Sequence, residues 1–155
     1  SENNSITLNS TGTNLGIGDY EFSLNAIDGP YQDDSTFYNI PPGEHTVFVR
    51  DKNGCGIAQA VINVLGFPKF FTPNDDGIND TWNIRGVKPG AFVNSTIVIF
   101  DRYGKMLARF GIFDLGWYGF YNNNQMNASD YWYLAELEDL SGQITVYKGH
   151  YSLLR

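Results

Sequence analysis

Tyr147-Lys148-Gly149-His150-Tyr151-Ser152-Leu153-Leu154-Arg155 reads as a β-strand that runs to the last residue and stops on a cation. Chain ends fray unless they are tied into the fold. An ordered terminal strand therefore points to a C-terminus that belongs to a working surface, one that a partner can read. The segment before it, Asp130–Glu138, alternates with the same period of two. Trp132 and Leu134 fall on one side; Tyr131, Tyr133 and Ala135 fall on the other, and one of the two sets should be core. Asp139-Leu140-Ser141-Gly142 supplies a turn between the two runs.

The same grammar extends back along the chain. Short alternating runs sit between Gly, Asn and Asp clusters, and helical periodicity is nearly absent. Strands are predicted at Ser5–Asn9, Asp19–Asn25, His45–Asp51, Ala58–Leu65, Thr81–Arg85, Ser95–Asp101, Lys105–Phe110, Asp130–Glu138 and Gln143–Leu154. Pro41-Pro42-Gly43 and Asp51-Lys52-Asn53-Gly54 read as turns on either side of the third. Within it, Val47 and Val49 form the inward set. Phe100-Asp101-Arg102-Tyr103-Gly104-Lys105 reads as a hairpin with Gly104 free to take positive φ. Gly and Pro punctuate Leu65-Gly66-Phe67-Pro68-Lys69, which reads as a linker. The expected fold is all-β: two tandem small β-sandwich (Ig-like) domains, residues 1–65 and 66–155.

Bulk composition supports packed strands. The 155 residues are 42% hydrophobic and 15% aromatic, far from the disordered regime. The net charge of −7 is uneven. Residues 1–65 hold two basic and eight acidic side chains, and residues 66–155 hold eight basic and nine acidic. No basic stripe follows a phosphate backbone, so no nucleic acid is expected as a partner. No apolar run is long enough for a direct membrane span. The single cysteine, Cys55, cannot close an internal disulfide and reads as a small filler beside a turn. Ser1 opens a polar stretch with no signal peptide, so the chain reads as a mature fragment or the tail of something longer.

Several motifs have a functional and a plain reading. Pro73-Asn74-Asp75-Asp76-Gly77-Ile78-Asn79-Asp80 gathers oxygen donors around a glycine, as a hard cation requires. Yet Thr72 and Asn83 stand where an EF-hand needs its first ligand and its bidentate glutamate. An Asx-stabilised turn is the plain reading. Trp82, Gly116-Trp117-Tyr118-Gly119-Phe120-Tyr121 and Tyr131-Trp132-Tyr133 form an aromatic set that suits a core or a sugar platform. Glu136 and Glu138 share one strand face and read as a solvated strip rather than a glycosidase pair. His45 and His150 lie in different predicted domains without a local acid–base arrangement. No nucleophile elbow, phosphate loop or histidine pair is present in the sequence. No catalytic residue, metal or cofactor is expected, and the chain is not read as an enzyme.

The blocks Phe67-Pro68-Lys69-Phe70-Phe71-Thr72-Pro73-Asn74-Asp75-Asp76-Gly77-Ile78-Asn79-Asp80-Thr81-Trp82, Ile99–Lys105, Gly116-Trp117, Ser129–Tyr133 and Lys148–Leu153 with terminal Arg155 occur in this order. They resemble the gliding-motility-associated type B C-terminal domain of Bacteroidetes proteins exported by the type IX secretion system. The family often has Gly at the place of Asp75 and usually Trp-Asp-Gly at the place of Trp117-Tyr118-Gly119. The second departure leaves a turn without its carboxylate. Tyr20–Leu24, Gly29-Pro30-Tyr31, Pro42-Gly43 and Thr46–Cys55 resemble the Ig-like repeats of large SprB-type gliding adhesins.

The resemblance implies that residues 66–155 are a sorting and surface-attachment domain, and that residues 1–65 are an adhesin repeat or spacer. Implied partners are an outer-membrane β-barrel of the PorP/SprF kind and components of the type IX translocon. The implied location is the cell surface or the medium, reached by type IX secretion. The isolated fragment is expected to be a monomer. Expected contact residues are Phe70, Phe71, Tyr147, Lys148, Gly149, His150, Tyr151, Leu153 and Arg155, with Lys148 and Arg155 as charged anchors. The alternatives are a carbohydrate-binding module of a secreted enzyme, using Trp117, Tyr118 and Tyr121 as its platform, and a hydrolase fragment.

Overall fold

A computed structural model describes residues 4–9, 18–54 and 56–155. Ser1 and Cys55, both read from the sequence above, lie outside the described residues. The strands are β1 (Ser5–Thr7), β2 (Tyr20–Leu24), β3 (Thr36–Tyr38), β4 (Gly43–Asp51), β5 (Ile57–Val64), β6 (Phe70–Phe71), β7 (Phe92–Phe100), β8 (Met106–Phe110), β9 (Phe120–Tyr121), β10 (Asn124–Gln125), β11 (Ser129–Asp139) and β12 (Ile144–Leu153). No helix occurs among the described residues, so the fold is all-β, as the alternation predicts. The chain divides into two compact units, Ser1–Gly66 and Phe67–Arg155.

In the first unit, β2, β4 and β5 form an antiparallel sheet with β4 central, and β1 pairs with β3. Ile6, Phe37, Ile40 and Val47 form the core, with Phe22, Leu24, Val49, Ile62 and Val64 packed around it. Val47 and Val49 thus face inward, as their parity requires. Strand β3 was not read from the sequence, because three residues are too few to show a period. His45 is a satisfied core histidine. Its Nε2–H donates to the Pro41 carbonyl at 2.8 Å, and its Nδ1 accepts from Asn25 Nδ2 at 2.9 Å.

The second unit is built on a five-stranded sheet in the order β6-β12-β11-β7-β8. All pairs are antiparallel except β6 with β12. Strands β11 and β12 run in register for ten residues, from Ser129 opposite Leu153 to Glu138 opposite Ile144. The inner face carries Tyr131, Tyr133, Ala135, Leu137, Ile97, Ile99, Tyr151 and Leu153, all buried. It is covered by loops that present Trp82 and Trp117, joined by two backbone hydrogen bonds of 2.9 and 3.0 Å. The strand expected at Thr81–Arg85 is therefore not continuous: only Trp82 and Arg85 are in bridges, and the Trp82 indole fills the layer above the sheet. Trp82 stacks on Tyr151 at 4.3 Å between centroids and lies 4.7 Å from Tyr133. Such pairs add about 0.5–1.5 kcal/mol each beyond their area burial.

One turn chemistry recurs three times. Asp101 Oδ1 accepts the Tyr103 and Lys105 amides, Asp139 Oδ1 accepts those of Ser141 and Gln143, and Asp51 Oδ1 accepts that of Asn53. Each turn closes on a glycine with positive φ, at Gly104, Gly142 and Gly54. The aspartate side chain holds the backbone while glycine supplies the left-handed step.

Candidate functional site

The outer face of the five-stranded sheet is set by the parity that buries the inner one. With Tyr131, Tyr133 and Ala135 inward, Trp132, Leu134 and Glu136 must face out. Cross-strand register then builds rows. Met106, Phe100, Trp132 and His150 lie opposite one another in sequence across β8, β7, β11 and β12. Arg109, Val98, Leu134 and Lys148 form the next row. Trp132 remains 39% exposed, Met106 55%, Val146 54% and Ile144 60%. The Trp132 ring lies 6.3 Å from the imidazole of His150. Phe70, opposite Ser152 on β6, extends the same face and is 48% exposed. The result is an open apolar and aromatic surface with cations at Lys148 and Arg109. Contiguous exposed apolar patches rimmed by polar groups mark interaction sites.

An open strand edge adjoins this face. The Ser152 and Leu154 amides donate to Lys69 and Phe71 carbonyls at 2.9 and 3.0 Å. Backbone groups at even positions of β12 thus point toward β6. That short strand pairs only Ser152 and Leu153, so among the described residues no strand pairs Ile144–His150 on this side. An edge of this kind accepts an added strand.

The expected contact residues therefore divide. Lys148, His150 and Phe70 lie on the exposed face. Phe71, Tyr151 and Leu153 are corrected: all three are buried core residues, because odd positions of β12 point into the aromatic layer and Phe71 pairs with Leu153 on the same side. Burial pushes the Tyr151 phenol far above its ordinary value, and its hydroxyl has no hydrogen-bond partner among the described residues. Gly149 is also corrected. It lies opposite Tyr133, and an added Cβ would come within 2.8 Å of that phenol oxygen, so the glycine makes room for a ring. Tyr147 is half-buried against Phe67, with centroids 5.1 Å apart.

Arg155, expected as a charged anchor, is exposed and also acts as a clamp within the unit. Its Nε donates to the Met126 carbonyl at 3.0 Å, Nη2 to Gly119 at 3.3 Å and Nη1 to Pro73 at 3.5 Å. Its guanidinium ties three loops to the end of β12. Phe100, Met106, Val98, Ile144 and Val146 were missed as surface residues. Their outward parity becomes visible only when the register joins β8, β7, β11 and β12.

The Asp80 carboxylate accepts the Asn74, Asp75 and Gly77 amides at 3.0, 2.8 and 2.7 Å, and Asp76 accepts that of Ile78 at 2.7 Å. The donors that could face a cation thus hold their own loop, and among the described residues no group of three His, Cys, Asp or Glu could hold a metal. Asp75 has φ of 61°, which explains why its place suits glycine. The sugar platform is corrected as well: Trp117 is buried, its Nε1–H donating to the Phe120 carbonyl at 2.9 Å. Tyr118, at the place of the missing aspartate, lines an open pocket of about 400 Å³ with Asn79, Asp80 and Arg85.

A family model described as "CHU_C Type IX secretion signal domain" matches residues 65–153. No curated protein matches the chain. Among solved structures, dimeric latent PorU from Porphyromonas gingivalis is similar at 16% identity and a TM-score of 0.37, covering 94% of this chain and 17% of that one. The BSP domain of a biofilm associated protein is similar at 15% identity and a TM-score of 0.32, covering 86% of this chain and 24% of that one. A tetra-tandem repeat in the extending region of a large adhesion protein is similar at 14% identity and a TM-score of 0.29, covering 87% of this chain and 41% of that one. The chain thus spans less than half of each of these structures, and at such scores the likenesses carry no argument about function.

Proposed function

Because the chain belongs to the type IX secretion signal domain family, and is thereby directed through that system to the cell surface or the medium, we propose that residues 66–155 work as a folded address label. The label docks by its outer sheet face and by the open edge of β12. The partner is an outer-membrane β-barrel of the PorP/SprF kind, which assists export and holds the cargo at the surface. Residues 1–65 serve as an Ig-like adhesin repeat or spacer, and neither unit carries out catalysis.

One observation carries this reading. The sheet exposes the row Met106, Phe100, Trp132 and His150, beside Lys148, although its other face already closes a complete core. A domain with no further role gains nothing from half-exposed rings on a second face. A partner strand added to the β12 edge would supply main-chain hydrogen bonds, and the aromatic row would supply side-chain specificity. Lys148, strongly hydrated and exposed, would set orientation and on-rate more than affinity.

The test is a pull-down from detergent-solubilised outer membranes with the full chain as bait. The wild type should retain a β-barrel protein, and the double variant Trp132→Glu, Lys148→Glu should lose it with an unchanged melting temperature. Retention by the variant would refute the assigned face. Deleting Lys148–Arg155 is a poorer test, because it removes Tyr151 and Leu153 from the core.

A further inference from the structure

Strand β5 forms the outer edge of the three-stranded sheet in the first unit, and among the described residues nothing pairs with its other side. Eight consecutive residues pair with β4, from Gly43 opposite Val64 to Arg50 opposite Ile57, with no bulge. Ile57, Ala58, Gln59, Ala60 and Val61 are all exposed. Natural edge strands are blunted by charges, proline, bulges or short length. Here no charged residue occurs from Asn53 to Pro68, and no proline occurs within the strand. The edge is flat, apolar and unguarded.

Its sequence also says what fits it. Ile57-Ala58-Gln59-Ala60-Val61 reads nearly the same in both directions about Gln59. We propose that β5 pairs antiparallel with β5 of a second copy of this chain, about a two-fold axis at Gln59. A two-fold interface is self-complementary: if residue i meets j, then j meets i. In this register Ile57 meets Val61 of the other copy twice, Ala58 meets Ala60 twice, and the two Gln59 side chains adjoin on the axis. Ile62 and Val64 pack on the core, so Ala58 and Ala60 share their inner face, and Ile57, Gln59 and Val61 share the outer one. The β-branched pairs therefore lie together on one side, where cross-strand contacts between branched side chains are most favourable. The two sheets merge into one continuous six-stranded sheet. This departs from the monomer expected on the sequence alone, and it is independent of the docking proposed for residues 66–155. The paired area is small, so the dimer is concentration-dependent.

Sedimentation velocity on the full chain tests the register as well as the dimer. The wild type should move from 17.4 kDa toward twice that mass as protein is raised toward millimolar. The double substitution Ile57→Glu, Val61→Glu should abolish the dimer, because each new carboxylate then faces another across the axis. Arg50 lies opposite Ile57 on β4, so a carboxylate there is tolerated within the sheet. Ile57→Glu, Val61→Lys should restore the dimer, since every cross-axis pair becomes an opposite-charge pair. Circular dichroism should show both variants folded. A variant that fails to fold is replaced by Gln59→Cys, which should cross-link to the dimer under oxidation with Cys55 blocked by Cys55→Ser. A wild type that stays at 17.4 kDa at every concentration would overturn the proposal, as would two double variants of equal mass. An edge that captures only strands of other proteins would appear as the first of these outcomes.

Discussion

In residues 1–66 the buried hydrophobic cluster among the described residues is Ile6, Phe37, Ile40 and Val47, mostly aliphatic with one aromatic side chain. In residues 67–155 a layer of rings joins the buried aliphatic side chains: Trp82, Trp117, Tyr131, Tyr133, Tyr151 and Phe71 stack or tilt on one another over the sheet. Both units are small and mostly antiparallel, yet they solve the covering problem differently. The first uses two thin sheets, and among the described residues nothing pairs with the outer edge of β5. The second uses one broad sheet and closes a single face with indoles carried on loops, which leaves the opposite face available. Large rings with fixed geometry let a loop do the work of a second sheet. The exposed feature in each unit follows from how its core is closed: an edge in one, a face in the other.

The largest break in this comparison comes from Trp82→Ala. Trp82 is fully buried, and its Nε1–H donates to the Pro68 carbonyl at 2.9 Å. Its truncation should cost about 3–5 kcal/mol. Hydrogen exchange should rise across β11 and β12 while the β4 amides stay protected, because the first unit has its own core. A loss below about 1 kcal/mol would mean that the ring stack is not what closes the second unit.

Gly149→Ala should cost about 1–3 kcal/mol, the usual range for overpacking, because the new methyl meets the Tyr133 ring. Chemical denaturation reads this directly. A neutral result would mean that Tyr133 can move aside, and the glycine would return to the list of surface candidates.

Tyr151→Phe has the opposite sign. It removes a buried hydroxyl that has no partner among the described residues. The variant should match the wild type or exceed it by about 1–3 kcal/mol, the cost of an unsatisfied buried polar group. A clear loss of stability would show that the hydroxyl is bonded in solution.

The smallest effect is a pH dependence at the Asp139 turn. Hydrogen bonds from the Ser141 hydroxyl, and then from the Gln143 amide, hold this carboxyl below its ordinary value. A depressed folded pKa stabilises the fold above the unfolded value, near 3.9. That contribution disappears as pH falls through the lower folded value. The melting-temperature difference between wild type and Asp139→Asn should therefore shrink below about pH 4. A difference that stays constant through that range would mean the turn gains nothing from the charge.

Much of this was legible in the residues. The alternation of Asp130–Glu138 fixed two faces before any coordinates, and the aspartate–glycine spacing of three turns fixed the hairpins. The face of β12 was harder. Tyr147, Tyr151 and Leu153 share one parity, but a single strand does not say which parity is inward. Only pairing with β11 places Tyr151 opposite Tyr131 and under Trp82. The clamp made by Arg155 was illegible for a different reason: its three carbonyl partners come from loops 29, 36 and 82 residues away in sequence. Side-chain clamps built from distant carbonyls leave no local signal. The short strand β3 is set by pairing with the distant β1 and likewise shows no period, whereas β9 and β10 pair locally across Asn122-Asn123, both at positive φ, and are simply too short to show one.

The most direct test of the address-label reading is export of a reporter fused to the amino end of the full chain, in a host with an active type IX system. Wild-type fusions should reach the surface or the medium. Trp132→Glu with Lys148→Glu should leave the reporter inside the outer membrane, while the purified variant melts like the wild type. Normal delivery of that variant would contradict the account at its centre.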